Sequence, residues 1–319
     1  LTAVSVYGQA AIFKPVVDES YWNIAGNPDL GIYTTPEQQP VDFGIWQAAD
    51  GTWQLWSCIR HTKAGKNTRL FYRWEGQSLE EPNWEPMGIA MEADTSVGEH
   101  SGGLQAPYVI KEGDTFFMFY GGWDQICLAT SKDGKNFTRV LNHQGQTELF
   151  TGPYRNSRDA MVIRENGLYY CYYTGHTYED GTIDFNRQKV IQPYKAAIFC
   201  RTSVDKKRWS EPTMVMAGGT PQNEDRWYGG DSECPFVLKK GDYFYLFRNI
   251  RYGTTSLNYQ YASKNPLDFG VGVDDYMVGS LSVAAPEIIQ YQDKYYMAYL
   301  NPELDGIRMA VLRWTKVED

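Results

Sequence analysis

The 319-residue sequence is short of several things, and each shortage excludes a class of protein. No stretch approaches the 18 apolar residues of a membrane-crossing helix, so a helical membrane span is not expected. Basic charge is scarce: 30 Lys and Arg stand against 39 Asp and Glu, for a net charge of −9. Such a chain repels phosphate backbones, so no nucleic-acid partner is expected, while neutral small substrates and neutral polymers stay open. The cysteines, Cys58, Cys127, Cys171, Cys200 and Cys234, are five, an odd number, and no two have C-x-x-C spacing. Four of them sit in apolar strand-like runs, which reads as buried thiols rather than a disulfide framework or a zinc site. Helical periodicity is scarce as well. The sequence opens Leu-Thr-Ala, with no initiator Met and no signal-type apolar run, as a trimmed mature protein would. An exported protein, periplasmic or extracellular, is the expectation.

What is present is aromatic and turn-rich. The 10 Trp, 24 Tyr and 14 Phe exclude wholesale disorder. A domain of this length buries roughly three quarters of its unfolded surface, enough to need no staple. Short alternating strands are punctuated by Asp-Gly, Asn-Gly and Gly-Asp turns. One unit recurs, an apolar strand, a turn and an aromatic strand. It begins at Asp42 (DFGIWQAADGTWQLWSC), Gln105 (QAPYVIKEGDTFFMFYGG), Asp159 (DAMVIRENGLYYCYYTG), Glu233 (ECPFVLKKGDYFYLFRN) and Ala284 (AAPEIIQYQDKYYMAYLN). Aligned on Gly51, Gly113, Gly167, Gly241 and Gln292, each hairpin is followed by a third strand. Five such units predict an all-β fold, a five-bladed β-propeller spanning 1–319 as a single domain. No unit can bury both faces of its sheet alone, and packing blade on blade in a ring does so. The N-terminal run AVSVYGQAAIF is expected to supply the strand that closes the ring.

In a propeller the first strand of each blade lines the central channel, so equivalent positions form a ring. Eight residues before the turn stand Gln105, Asp159, Glu233 and Ala284, and an extra residue in blade one sets Asp42 beside the matching place. Three of the five are acidic. Carboxylates crowded at one rim repel unless they share protons or a cationic ligand. That is costly for stability but useful in catalysis, because a carboxyl with a raised pKa is a general acid beside an ionised neighbour. Glycoside hydrolysis needs such a pair. Singly, each has a plain structural reading: Asp42 can cap a turn, Asp159 can pair with Arg158, and Glu233 can satisfy a strand edge. Around them, Trp46, Trp123, Trp227 and Tyr228 are candidate sugar-stacking aromatics. Gln105, Arg158, His176, Asp231 and Arg248 are candidate hydrogen-bonding partners for a sugar, with His100 in a neighbouring loop.

Three short motifs carry a family resemblance. Ser157-Arg158-Asp159 resembles the Arg-Asp-Pro motif of invertase-like enzymes, and Glu233-Cys234-Pro235 resembles their Glu-Cys motif. Ala106-Pro107-Tyr108 looks like the Ala-Pro-Asp of glycoside hydrolase family 43. The chain thus resembles a divergent member of the five-bladed propeller glycoside hydrolases, a group holding the invertase, levansucrase and family 43 enzymes. The resemblance implies that Asp42 is nucleophile or base, that Asp159 holds the sugar and tunes pKa values, and that Glu233 is the acid. Blade one departs from the pattern, reading Val41-Asp42-Phe43, and Ala160 stands where Pro is usual. No His lies near Ala285-Pro286, where family 43 often places one, so a structural calcium is not implied, and no cofactor is expected. The expected activity is release of terminal arabinofuranosides or fructofuranosides from a carbohydrate substrate. A carbohydrate-binding propeller without catalysis is the alternative. A glycoside phosphorylase, which needs a basic cluster to hold phosphate, is a further one.

Overall fold

The structure is a computed structural model and describes residues 11–176, 194, 196–220 and 232–317. Its strands form five antiparallel sheets. Blade one holds β2 (Gln39–Gln47), β3 (Trp53–Arg60), β4 (Leu70–Gly76) and β5 (Glu85–Met91). Blade two holds β6 (Gln105–Glu112), β7 (Thr115–Gly121), β8 (Gln125–Ser131) and β10 (Glu148–Thr151), with the short β9 (Thr138–Arg139) also on β8. Blade three holds β11 (Arg155–Glu165), β12 (Leu168–His176), β13 (Ala196–Ser203) and β14 (Thr213–Met216). Blade four holds β15 (Glu233–Lys240), β16 (Tyr243–Arg251), β17 (Leu257–Ser263) and β18 (Met277–Leu281). Blade five holds β19 (Ala284–Tyr291), β20 (Lys294–Leu300) and β21 (Gly306–Lys316). Its fourth strand is β1 (Phe13–Gly26), which pairs antiparallel with β21 from Phe13↔Lys316 to Gly26↔Gly306. The ring is therefore closed by N-terminal chain hydrogen-bonded to the C-terminal strand. The closing strand begins only at Phe13, the last residue of the run expected to supply it, and most of that run lies outside the described residues.

The five innermost strands, β2, β6, β11, β15 and β19, touch in succession around the axis, and β19 returns to β2. The blades approach closely there. A Cβ on Gly44 would lie 2.3 Å from the carbonyl oxygen of Pro107 in the next blade, so only glycine fits. Between the blades lie aromatic cores such as Trp46, Trp56 and Phe71, or Tyr245, Phe247 and Phe269, all buried.

The hairpin turns explain a one-residue error in the ring read from sequence. Blades two and four turn through Gly113-Asp114 and Gly241-Asp242, between Glu112↔Thr115 and Lys240↔Tyr243. Blade three turns through Asn166-Gly167, between Glu165↔Leu168. Its glycine is the second turn residue rather than the first, so alignment on glycine shifts blade three by one. The true equivalents are Asp42, Ala106, Asp159, Cys234 and Ala285. Each sits in a register break between its strand and the next. Each has left-handed backbone, with φ of 41°, 40°, 56°, 45° and 46°. A bulge of this kind re-aims a side chain out of the regular alternation. A non-glycine residue held at positive φ costs of order 1–3 kcal/mol, and five around one axis mark a place where the fold enforces strain. Glu233 thus stands one residue before the ring, level with Val41, Gln105, Arg158 and Ala284.

Candidate active site

The ring opens on a cavity of about 310 Å³, counted with its open side. Its walls include Asp42, Ala106, Asp159, Cys234 and Ala285, and further along the same strands Tyr108, Met161 and Glu287. The bulge in β11 sets Asp159 into this wall, and the bulge in β15 does the same for Cys234. The Cys234 amide donates to Asp159 Oδ2 at 3.2 Å, and its thiol donates to Asp42 Oδ1 at 3.3 Å. Blades one, three and four are stitched together at this point.

Arg158 lies beside Asp159 on β11 and serves two carboxylates. Its Nε is 3.7 Å from Asp159 Oδ2, and its Nη2 donates to Glu233 Oε1. His176, at the end of β12, places Nε2 3.1 Å from the same Glu233 oxygen. Both carboxyls are nearly sealed from solvent, at 5% exposure each. Their protonation differs because their partners differ. Burial pushes Asp159 up, Arg158 opposes it, and the charges of Asp42 and Glu233 add to it, leaving the carboxyl at about 7. Burial also raises Glu233, but the Arg158 guanidinium and hydrogen bonds from His176 and Tyr252 outweigh it and hold the group well below the usual carboxylate range. Burial and the Arg158 charge lower His176, so it faces Glu233 as a neutral donor. Of the two acids, Asp159 is therefore the one that holds a proton just below neutral pH, and Glu233 the one that stays ionised.

Gln105 joins this network from blade two. Its carbonyl oxygen accepts from Arg69 and from Arg158 Nη1, the latter at 3.2 Å, while its amide donates to the Trp123 carbonyl. The Arg69 guanidinium lies 4.9 Å over the Trp123 ring. Asp42, Asp159, Glu233, Arg158, His176, Gln105 and Trp123 are therefore linked through one connected set of contacts. His100 stands apart at the surface, 3.8 Å from Asp124.

Gln105, Trp123, Arg158 and His176 stand behind the cavity wall in this set of contacts, and two further expected sugar binders belong to neither the wall nor the set. Trp46 does not line the cavity. It is a core residue, with its indole N–H on the Gly134 carbonyl at 2.8 Å and its ring against Trp56 and Phe137. Arg248 is fully buried within blade four, where Nη1 donates to the Gly218 carbonyl and the Tyr261 hydroxyl. It lies inside β16, paired with Tyr259, rather than at the end of the strand where it could reach a sugar. Trp227, Tyr228 and Asp231 lie outside the described residues. Replacing Trp46 with Ala is expected to cost about 3–5 kcal/mol of stability through the cavity left between blades one and two. Urea unfolding measures it, and a sugar-stacking role would instead raise KM in a protein of unchanged stability.

Sequence reasoning missed Tyr252, Arg69 and the part Cys234 plays. The Tyr252 hydroxyl is 3.2 Å from Cys234 Sγ and also bonds Glu233. It follows β16 with no motif around it. Arg69 begins the run into β4, and nothing in its surroundings in sequence points toward the axis.

No family model matches the chain, and no curated protein matches it. Solved structures do. A thermostable family 43 glycoside hydrolase is 18% identical, with 90% of this chain and 94% of that one covered and a TM-score of 0.65. A family 43 enzyme from Xanthomonas citri, complexed with xylotriose, is 15% identical, with 93% of each chain covered and a TM-score of 0.63. A family 43 β-xylosidase/α-arabinofuranosidase from a compost microbial metagenome, also with xylotriose, is 13% identical, with 92% and 96% covered and a TM-score of 0.58. At these identities the likeness establishes the architecture: the chain has the five-bladed propeller fold of the family 43 glycoside hydrolases.

Proposed function

We propose that the chain is a glycoside hydrolase that removes terminal furanosides, arabinofuranosides or fructofuranosides, from oligo- and polysaccharides. The observation that carries this reading is the linkage of three carboxyls beside the axial cavity: Cys234 bridges Asp42 to Asp159, both in its wall, and Arg158 bridges Asp159 to Glu233 behind it, the last two buried with opposite pKa shifts. Paired carboxyls in contrasting protonation states are what acetal cleavage requires. One solved structure of the same fold is named a β-xylosidase/α-arabinofuranosidase, which supports a pentose end group and puts arabinofuranosides first.

In this reading Asp42 attacks the anomeric carbon or activates the water that does, and Asp159 donates its proton in a hydrogen bond to a sugar hydroxyl. Glu233 protonates the leaving oxygen. Arg158 is the largest cause holding Glu233 ionised. A sugar hydroxyl that draws Arg158 away removes it, and burial then raises the Glu233 pKa against the remaining bonds from His176 and Tyr252, so that the carboxylate takes a proton from solvent before passing it to the leaving oxygen. His176 and Tyr252 hold its carboxyl in place meanwhile.

The test is a panel of aryl glycosides and plant oligosaccharides, with the released monosaccharide identified by chromatography. Release from α-arabinofuranosides or fructofuranosides and not from aryl pyranosides is expected. Release from pyranosides alone would overturn the furanoside assignment.

A further inference from the structure

We propose that Asp42, Asp159 and Cys234 form a binding site for a thiophilic divalent cation of the zinc type at the axial ring. One donor atom from each of the three lies within 4.8 Å of the others. Cys234 Sγ is 3.3 Å from Asp42 Oδ1. A tetrahedral zinc ion with Zn–S of about 2.3 Å and Zn–O of about 2.0–2.2 Å sets its sulfur and oxygen ligands roughly 3.5 Å apart, so Cys234 and Asp42 already stand near that spacing. An independent observation comes from Asp159. Its Oδ1 is buried and has no hydrogen-bond partner, although the residue lines the cavity and is only 5% exposed. A buried carboxyl oxygen left without a partner is costly, and a cation at the ring that takes the place of the carboxyl proton would satisfy it.

The donor set selects the class of ion. Two carboxylates and one thiolate are too few oxygens for calcium, which takes six to eight, and the sulfur favours zinc, cadmium or cobalt. Three protein ligands leave the fourth tetrahedral position to water. The three ligands come from three blades, each on left-handed backbone fixed by its bulge, so the site is preorganised. The Tyr252 hydroxyl, 3.2 Å from the sulfur, is placed to donate to a thiolate.

Such an ion would cover Asp42 and Asp159 and exclude a sugar from the ring. This consequence rests on the hydrolase reading, whereas the binding does not.

The experiment is titration of the full chain with cobalt(II), a spectroscopic stand-in for zinc. A thiolate-to-cobalt absorption band in the near ultraviolet, saturating at one ion per chain and displaced by zinc, is expected. Among the described residues no other cysteine belongs to such a cluster, so the band is assigned to Cys234. Cys234→Ser should abolish it, and Asp42→Asn, which keeps the thiol, should weaken cobalt binding at least tenfold. Absence of the band, or a band that survives Cys234→Ser, overturns the site. Should the Cys234 variant fail to fold, undiminished cobalt affinity in Asp42→Asn overturns it equally. Sugar release is followed separately. Zinc that binds without slowing it would uphold the cation site and contradict the role given to Asp42.

Discussion

Glu233→Gln is expected to lower kcat on alkyl and oligosaccharide furanosides by roughly 10²–10⁴-fold, the range of a lost general acid. On nitrophenyl furanosides, whose leaving group departs without a proton, the loss should be far smaller. The contrast between leaving groups separates an acid from a residue that merely holds the fold. The carboxylate also neutralises Arg158, whose guanidinium is buried beside it, so some stability will be lost in the same variant. A thermal melt run in parallel shows whether the protein is folded at the assay temperature. Equal losses on both kinds of substrate in a folded protein would remove Glu233 from the role of acid.

Asp159→Asn is expected to inactivate the protein while stabilising it above neutral pH. The folded carboxyl titrates at about 7, against an ordinary value of 3.8, with burial as the largest cause and the Asp42 and Glu233 charges adding to it. For a group whose folded pKa is raised, its favourable contribution is complete below the unfolded pKa and is lost as pH rises through the folded one. Wild type therefore loses stability between about pH 4 and pH 7, and an uncharged amide at position 159 does not. The ceiling on the difference is roughly 4 kcal/mol, since each pH unit between the unfolded and folded values contributes about 1.4 kcal/mol. Urea unfolding of both proteins at pH 5 and pH 8 measures it. The gap in favour of Asn should widen with pH, and an Asp159→Asn protein equally destabilised at both pH values contradicts the assigned protonation. Such an exchange of stability for activity is what a strained, charge-crowded site predicts.

The blades were legible because period-two alternation and turn residues are local signals. The same signals cannot count a single-residue shift. Asn166-Gly167 carries its glycine one place later than Gly113-Asp114 or Gly241-Asp242, and so Glu233 was assigned to the ring while Cys234 was not. The bulges that set Asp42, Asp159 and Cys234 at left-handed backbone leave no mark in composition, since none of the three is glycine. Arg158 and His176 were legible as candidates from their nearness to the motif and the loop. Their convergence on one Glu233 oxygen depends on the irregular pairing of β11 with β12, which only the structure shows. Trp46 went the other way. An aromatic near a blade tip looks the same in sequence whether it faces a sugar or the next blade, and the Gly134 carbonyl that decides the matter is 88 residues distant.

The most direct test of the account is cleavage of an aryl arabinofuranoside in ¹⁸O-enriched water, with phosphate present and absent and the sugar product weighed by mass spectrometry. The account predicts free arabinose carrying one ¹⁸O, formed at the same rate with or without phosphate, and no product from Asp42→Asn. A sugar phosphate would mean phosphorolysis, and tight sugar binding with no product from wild type would mean a propeller that holds carbohydrate without cutting it. Either result contradicts hydrolysis by the axial carboxylates.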